Sequence, residues 1–395
     1  MAEKIIFTDD ITDAVSKSDV IFIAVGTPPK SNGEANLQYV EDAAREIATE
    51  ILADQMCTIV LKSTVPIGTN QLIMRLVLDV LQQRNIVARV SFASNPEFLR
   101  EGVALSDTFY PDRIVIGADQ PEAIANLSRL YHPLLEQTFV PPSEFPRADN
   151  AQLPYLISTD LVSAEMTKYA ANAFLPLKIS FINEIAGLCE KVGADVTEVA
   201  RGIGYDQRIG HRFLNAGLGW GGSCFPKDTK ALISVAANYN YTMPLLQAVC
   251  EVNIRQRITI IDKLKAELGD LHGKVIAVLG LAFKPNTDDV RDSPAIEIVR
   301  MLVDCGAQVR VHDPIAMNNA RIELADVAVE FCDSPYTTAI KADALLLATE
   351  WNVYHSLDLR RLAQGMRTPL LVDGRNLYHR TDAQQAGFIY KGVGK

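Results

Sequence analysis

The residues best suited to chemistry lie in one glycine-rich stretch, Gly217-Leu-Gly-Trp-Gly-Gly-Ser-Cys-Phe-Pro-Lys-Asp228. Glycine lets backbone approach a ligand closely and Pro226 suits the first turn of a helix, so Cys224 is expected at or just before a helix N-terminus. Free N–H groups and the helix dipole favour the thiolate there, and the thiolate is the form that attacks carbonyl carbon. Asp228 follows four residues later, the spacing that shares one helix face. The same residues also fit a small filler thiol and a first-turn acid that complements the dipole.

Further candidates lie on both sides of this stretch. In Asn95-Pro-Glu-Phe-Leu-Arg-Glu101, Glu97 and Glu101 stand at i and i+4 beyond a strand, the edge where parallel sheets hold ligands. A solvated helix start would carry the same acids. Thr64, in Ser63-Thr-Val-Pro-Ile-Gly68, could donate to a ligand or cap a helix. Lys168 and Asn172 are four apart on a helical stretch, so they project alike and could give an acyl oxyanion its donors, while Pro176 predicts a kink. Arg208 and Arg212 precede the glycine stretch, where guanidinium forks suit a diphosphate, and Lys284, Arg291 and Arg375 each lie at or soon after a strand end.

The elements that must position these residues are legible as periodicity. Val20–Val25, Thr58–Leu61, Arg89–Phe92 and Arg113–Gly117 are short apolar runs separated by helical patterns, which predicts a parallel sheet covered on both faces. From about Thr159 to Val192 the pattern is long and helical, and Phe174, Ile179, Phe181 and Ile182 read as core or subunit contact. Strands return with Lys274–Leu279, Gln308–His312, Ala344–Ala348 and Pro369–Asp373. The fold class is therefore α/β, with two Rossmann-like parallel-sheet domains joined by a long central helical segment. Boundaries are expected at 1–150, 151–265 and 266–395, with Pro141 to Pro154 as the best linker.

Composition limits the function classes. The 395 residues are 48% hydrophobic and 22% charged, and no apolar run approaches the roughly 20 residues of a membrane span. A net charge of −10 excludes a general nucleic-acid footprint. The six cysteines are scattered without a C-x-x-C, which argues against a disulfide framework and against a zinc site, and the cytoplasm is the expected compartment.

Taken in order, Val25-Gly-Thr-Pro28, Ser63–Gly68, Asn95–Gly102, Lys168-Tyr-Ala-Ala-Asn172, Gly221–Asp228, Phe283-Lys284, Arg291 and Asp373-Gly-Arg375 resemble the UDP-glucose/GDP-mannose dehydrogenase family, most closely its UDP-glucose branch. The resemblance runs from about Thr8 to the C-terminus. It implies two successive oxidations of the sugar C6 alcohol, with NAD as cofactor and UDP-glucuronate as product. On that resemblance Cys224 is the nucleophile that forms a thiohemiacetal and then a thioester, and Lys168 and Asn172 stabilise the oxyanion. Asp228, Thr64 and Glu97 hold or activate water. Thr27, Thr64, Glu101 and Arg291 contact NAD. The sugar nucleotide is held by Glu97, Phe98, Leu99, Lys168, Asn172, Arg208, Phe213, Leu214, Gly217, Gly221, Lys284 and Arg375, and the central helix pairs subunits in a homodimer.

The front of the chain departs from the family pattern. A strand, a G-x-G-x-x-G turn, a helix and an acid-tipped second strand would be expected before Ile5-Ile-Phe7, so the first domain reads as N-terminally truncated. Rival readings are a one-step hydroxyacid dehydrogenase of the 6-phosphogluconate dehydrogenase kind, a UDP-sugar-binding remnant without redox activity, and a UDP-N-acetylmannosamine or GDP-mannose dehydrogenase.

Overall fold

The structure, a computed structural model, describes residues 5–30, 32–149 and 151–395. They form two compact units: those up to residue 171 with 230–241, and residues 172–229 with 242–395. In the first unit β1 (Val20–Ile23), β2 (Met56–Leu61), β3 (Arg89–Ser94), β4 (Arg113–Gly117) and β5 (Tyr155–Thr159) make one sheet in that order. All neighbours are parallel except β3 and β4, which meet antiparallel at Ser94 and Gly117.

Alternation along β2 explains why this sheet is covered on both faces. Ile59 and Leu61 pack with Val40, Ala44, Ile73 and Val77 of helices Gln38–Glu50 and Thr69–Gln83. Val60, pointing the other way, packs with Ala123 and Leu127 of helix Pro121–Leu135. The edge strand β5 follows the expected linker, and the sequence reading missed it because Tyr155, Leu156 and Ile157 are exposed and give no buried apolar run. The parallel register sets Leu61 beside Ser94, so the residues just beyond, Lys62 and Asn95, leave the carboxyl edge as neighbours.

In the second unit β6 (Val275–Leu279), β7 (Gln308–His312), β8 (Val329–Phe331), β9 (Ala344–Leu347), β10 (Leu370–Asp373) and β11 (Ile389–Gly392) form a wholly parallel sheet ordered β11-β10-β9-β6-β7-β8. Read from β8, this is the doubly wound dinucleotide-fold order. Its mouth is closed from within. Buried Asp313, just after β7, accepts from the N–H groups of Leu281, Ala282, Ile315 and Ala316 and from the indole of Trp351. Gly280 has φ +95°, and a Cβ there would stand 2.5 Å from Thr349, so glycine is what lets these two loops touch. The long helix Leu161–Val192 is continuous through Pro176, and it and helix Phe225–Asn238 each run from one unit into the other.

Candidate active site

In the first unit the chemistry gathers at the carboxyl ends of β1, β2 and β3. Lys168, only 4% exposed, donates from Nζ to Glu97 Oε1 at 2.9 Å, and Glu97 Oε2 accepts the N–H of Leu99 at 2.6 Å. Phe98 lies between two cations, with the Arg113 guanidinium 3.7 Å and the Lys168 ammonium 5.3 Å from its ring centre. The Thr27 hydroxyl donates to the Thr64 carbonyl at 2.8 Å and ties the loop after β1 to the loop after β2.

Two of the alternative readings fail locally. Glu97 and Glu101 do not share a helix face, because residues 95–103 form an irregular loop with Gly102 at φ +83° and the helix begins only at Ala104. Thr64 does not cap the following helix either. Helix Thr69–Gln83 starts behind Gly68, and its free N–H groups go to buried Glu165 on the long helix. Glu165 Oε2 accepts from Gly68 at 2.6 Å, and Oε1 accepts from both the backbone and the side chain of Asn70 at 2.7 Å. Burial pushes the Glu165 carboxyl above the usual range despite these bonds.

In the second unit Cys224 is exposed and immediately precedes helix Phe225–Asn238, with its carbonyl taking the N–H of Asp228 at 2.8 Å. Asp228 is 1% exposed, and its carboxylate accepts from Asn172 Nδ2 and from Lys227 Nζ, both at 2.6 Å. A buried acid with two donors is a fixed, paired group rather than a solvated first-turn acid.

The glycine stretch is built to pass close to its neighbours. A Cβ on Gly217 would lie 2.8 Å from the Gly374 carbonyl, one on Gly221 would lie 2.1 Å from the Asp292 carbonyl, and one on Gly222 would lie 2.7 Å from the Phe283 ring. Asn183 fixes the Gly217 N–H at 2.8 Å. Arg375 donates to the carbonyls of Ala348 and Phe283 and pairs with Glu350, so a guanidinium sits where the loops after β6, β9 and β10 converge. Phe213 holds φ +66°, and Leu214 is a core residue. Arg208 is exposed and paired with Asp206, while Arg291, in this unit rather than with Thr27 and Glu101, is bonded to Asp289.

Comparison with known proteins matches three domains of one family: its NAD binding domain to residues 1–135, its central domain to 162–255 and its UDP binding domain to 277–380. The UDP-glucose 6-dehydrogenase TuaD of Bacillus subtilis (strain 168) is 45% identical over 395 residues, covering 100% of this chain and 80% of its own length. The UDP-glucose 6-dehydrogenase of Rhizobium meliloti (strain 1021) is 48% identical over 395 residues, covering 98% and 85%. The structure of a UDP-glucose dehydrogenase from Pyrobaculum islandicum superposes with a TM-score of 0.84 at 40% identity, covering 98% of this chain and 82% of that one. The chain belongs to the UDP-glucose/GDP-mannose dehydrogenase family.

Membership in the UDP-glucose/GDP-mannose dehydrogenase family corrects one expectation. An N-terminally truncated first domain is not supported, since the family's NAD binding domain is matched over residues 1–135. The cofactor of the family is NAD, and the first unit fits it. A Cβ on Gly26 would meet nothing within 4 Å, so backbone after β1 is open to close approach, beside Thr27 and Thr64 at the edge where parallel sheets bind nucleotides. Reasoning from the sequence missed Lys62, Tyr131 and Glu165. Lys62 carried the one available signal, a cation directly after a strand at that edge.

Proposed function

We propose that this chain oxidises UDP-glucose twice at C6 and releases UDP-glucuronate. The observation that supports it most is the exposed Cys224 at a helix entrance, one turn before an Asp228 that is buried and bonded to Asn172. NAD, when bound, supplies the hydride acceptor for both oxidations, alcohol to aldehyde and thiohemiacetal to thioester. Cys224 Sγ adds to the aldehyde carbon as the thiol proton leaves. Lys168 and Asn172, one turn apart on the long helix, donate to the C6 oxygen as it gains charge. Glu97, Asp228 and Thr64 hold water and take its proton, and the resulting attack on the thioester frees the carboxylate and returns the thiol.

Within the same reading, residues 1–150 with Thr27, Thr64 and Glu101 serve NAD, joined in that role by Arg291. Residues 151–265 form the central helical domain, and residues 266–395 with Lys284 and Arg375 serve the UDP group. The glycine stretch from Phe213 to Gly221 follows the sugar nucleotide, and Phe98 and Leu99 border the sugar. A homodimer is supported by the long helix, where Phe174, Phe181 and Leu188 stand seven residues apart and are 57%, 47% and 59% exposed. Among the described residues no helix is long and apolar enough to cross a membrane. We place the chain in the cytoplasm, where unpaired thiols such as Cys224 stay reduced.

The test is stoichiometric. Wild type should form two NADH per UDP-glucose consumed, and Cys224→Ser should lose UDP-glucuronate release by roughly 10³-fold or more while remaining folded. One NADH per sugar, or a serine variant with intact stoichiometry, removes the thioester route. Turnover of GDP-mannose or UDP-N-acetylmannosamine in place of UDP-glucose moves the chain to another branch of the family.

A further inference from the structure

The loop that carries Cys224 is gripped at Trp220 by a stripe of one helix. Val249, Asn253 and Arg257 stand four residues apart on helix Pro244–Leu268, so they share a face. Asn253, only 4% exposed, clamps the backbone of Trp220 with both ends of its amide: Oδ1 accepts the Trp220 N–H at 2.8 Å, and Nδ2 donates to the Trp220 carbonyl at 2.9 Å. Arg257 donates to the same carbonyl at 3.2 Å and pairs with Glu297 of helix Pro294–Asp304. The indole is held as well. Its Nε1 donates to the Ser180 hydroxyl at 3.0 Å, and that hydroxyl donates to the Val249 carbonyl at 2.9 Å. Glycine at 219 is what lets the loop lie against the clamp, since a Cβ there would stand 2.3 Å from Asn253 Oδ1.

Two residues further on, the chain is gripped again. Gly222 donates its N–H to the Arg291 carbonyl at 3.0 Å, and Gly221 runs against Asp292. Beyond these grips the Cys224 thiol is exposed, with the Ser223 hydroxyl 3.6 Å from Sγ. The thiol is therefore located by its backbone and not by packing of its own. Addition to an aldehyde needs sulfur and carbon within about 3–3.5 Å, and a misplacement of about 1 Å costs on the order of 10²-fold. All of these residues belong to one compact unit, which also contains Lys284 and Arg375. The clamp thus ties the thiol to the same body as the residues assigned to the UDP group.

We propose that Asn253 is a positioning residue for the second oxidation: by fixing Trp220 it sets Cys224 Sγ within reach of the C6 aldehyde carbon. The idea rests on the role given to Cys224 above. Asn253 acts through the loop, since its amide is buried and spent on Trp220. With the clamp open, the first hydride still leaves the alcohol for NAD, but the aldehyde meets no thiol. The thiohemiacetal from which the second hydride departs then does not form.

The test separates trapping from binding. In Asn253→Ala the Trp220 N–H loses its partner, and release of UDP-glucuronate should fall about 100-fold in kcat, with KM for UDP-glucose and UDP affinity by calorimetry both within about threefold. In the presence of hydroxylamine, which captures a freed aldehyde as its oxime, NADH formed per UDP-glucose should drop from two toward one. Ser180→Ala, which removes a bond to the indole and leaves the backbone clamp, should keep two NADH per sugar. Iodoacetamide labelling of Cys224, read by peptide mass spectrometry, checks thiol placement without turnover: bound UDP-glucose should slow it about tenfold or more in wild type and less than about threefold in Asn253→Ala. A kcat within threefold of wild type, two NADH per sugar at reduced kcat, or equal protection in the two proteins overturns the proposal. A UDP affinity that falls as far as kcat does the same, because it would mark Asn253 as general scaffolding. Should Asn253→Ala fail to fold, Asn253→Asp, which keeps the shape and the acceptor but loses the donor, carries the same comparison. Absence of UDP-glucose turnover in wild type sinks the functional reading instead, and the labelling result still decides whether Asn253 places the thiol.

Discussion

Replacing Glu165 with alanine should open the start of helix Thr69–Gln83 while the sheet stays folded. The carboxylate satisfies three donors at once: the N–H groups of Gly68 and Asn70 and the Asn70 side-chain amide. Asn70 is buried, so its two donors would be left without water or partner, at about 1–3 kcal/mol each. Gly68 is only half-buried and can rehydrate. Relief from burying a charge offsets part of the loss, since burial is the larger influence on this carboxyl. The net cost is about 2–4 kcal/mol, which in hydrogen exchange read by mass spectrometry is about a 30-fold or larger loss of protection for the peptide spanning Thr69–Gln83. The carboxyl is raised in the folded protein, so its contribution to stability is present at low pH and fades as pH climbs through the raised value. Glu165→Gln, which keeps one carbonyl oxygen and cannot ionise, should lose less protection and should lack that fading. Because the pin also anchors the loop bearing Thr64 to the helix bearing Lys168, Glu165→Ala should lower kcat as well. Exchange within threefold of wild type over Thr69–Gln83 would refute the reasoning.

Gly221→Ala should weaken UDP binding tenfold or more by calorimetry, because its Cβ would fall 2.1 Å from the Asp292 carbonyl. Gly202→Ala, in helix Val196–Gly204 with nothing within 4 Å, should raise stability by roughly 0.5–1 kcal/mol in a urea titration. Buried His312 has its pKa lowered from 6.5, chiefly by burial, so its contribution is present above that value and lost as pH falls through the lowered one. Tryptophan-detected urea midpoints, which report the unit holding Trp220 and Trp351, should fall as the pH is taken below the ordinary imidazole value in wild type and fall less in His312→Asn. Phe181→Glu, on the exposed stripe of the long helix, should convert the proposed dimer to a monomer in sedimentation with a small change in thermal midpoint; an unshifted dimer would place the interface elsewhere.

What could be read in the sequence was what depends on neighbours along the chain. The apolar runs at Val275–Leu279 and Ala344–Leu347 are buried throughout, and a run of that kind announces a covered parallel strand without further context. Pro226 and the glycines before it fixed Cys224 at a helix entrance because both act on local backbone. What stayed hidden depends on distant partners. The Lys62 contact with Asn95 spans 33 residues, and the Glu165 contact with Asn70 spans 95, so no periodicity could pair them. Glu97 and Glu101 misled for the opposite reason. Their spacing is helical, but Gly102 takes a left-handed turn that delays the helix, and Glu97 is held by Lys168 from 71 residues away. Strand β5 was invisible because an exposed edge requires no apolar alternation.

A chain that handles two nucleotides on two sheets of related design has to keep each ligand off the other's scaffold. Asp313 stands at the tip of the second strand of its sheet, the place from which such folds grip a ribose hydroxyl. Its oxygens already carry four backbone amides and an indole, so a dinucleotide arriving there would find neither a free carboxylate nor a turn open to its phosphates. Discrimination between coenzyme and sugar nucleotide is in this way written into the scaffold's own hydrogen bonding, without any residue having to repel the wrong guest.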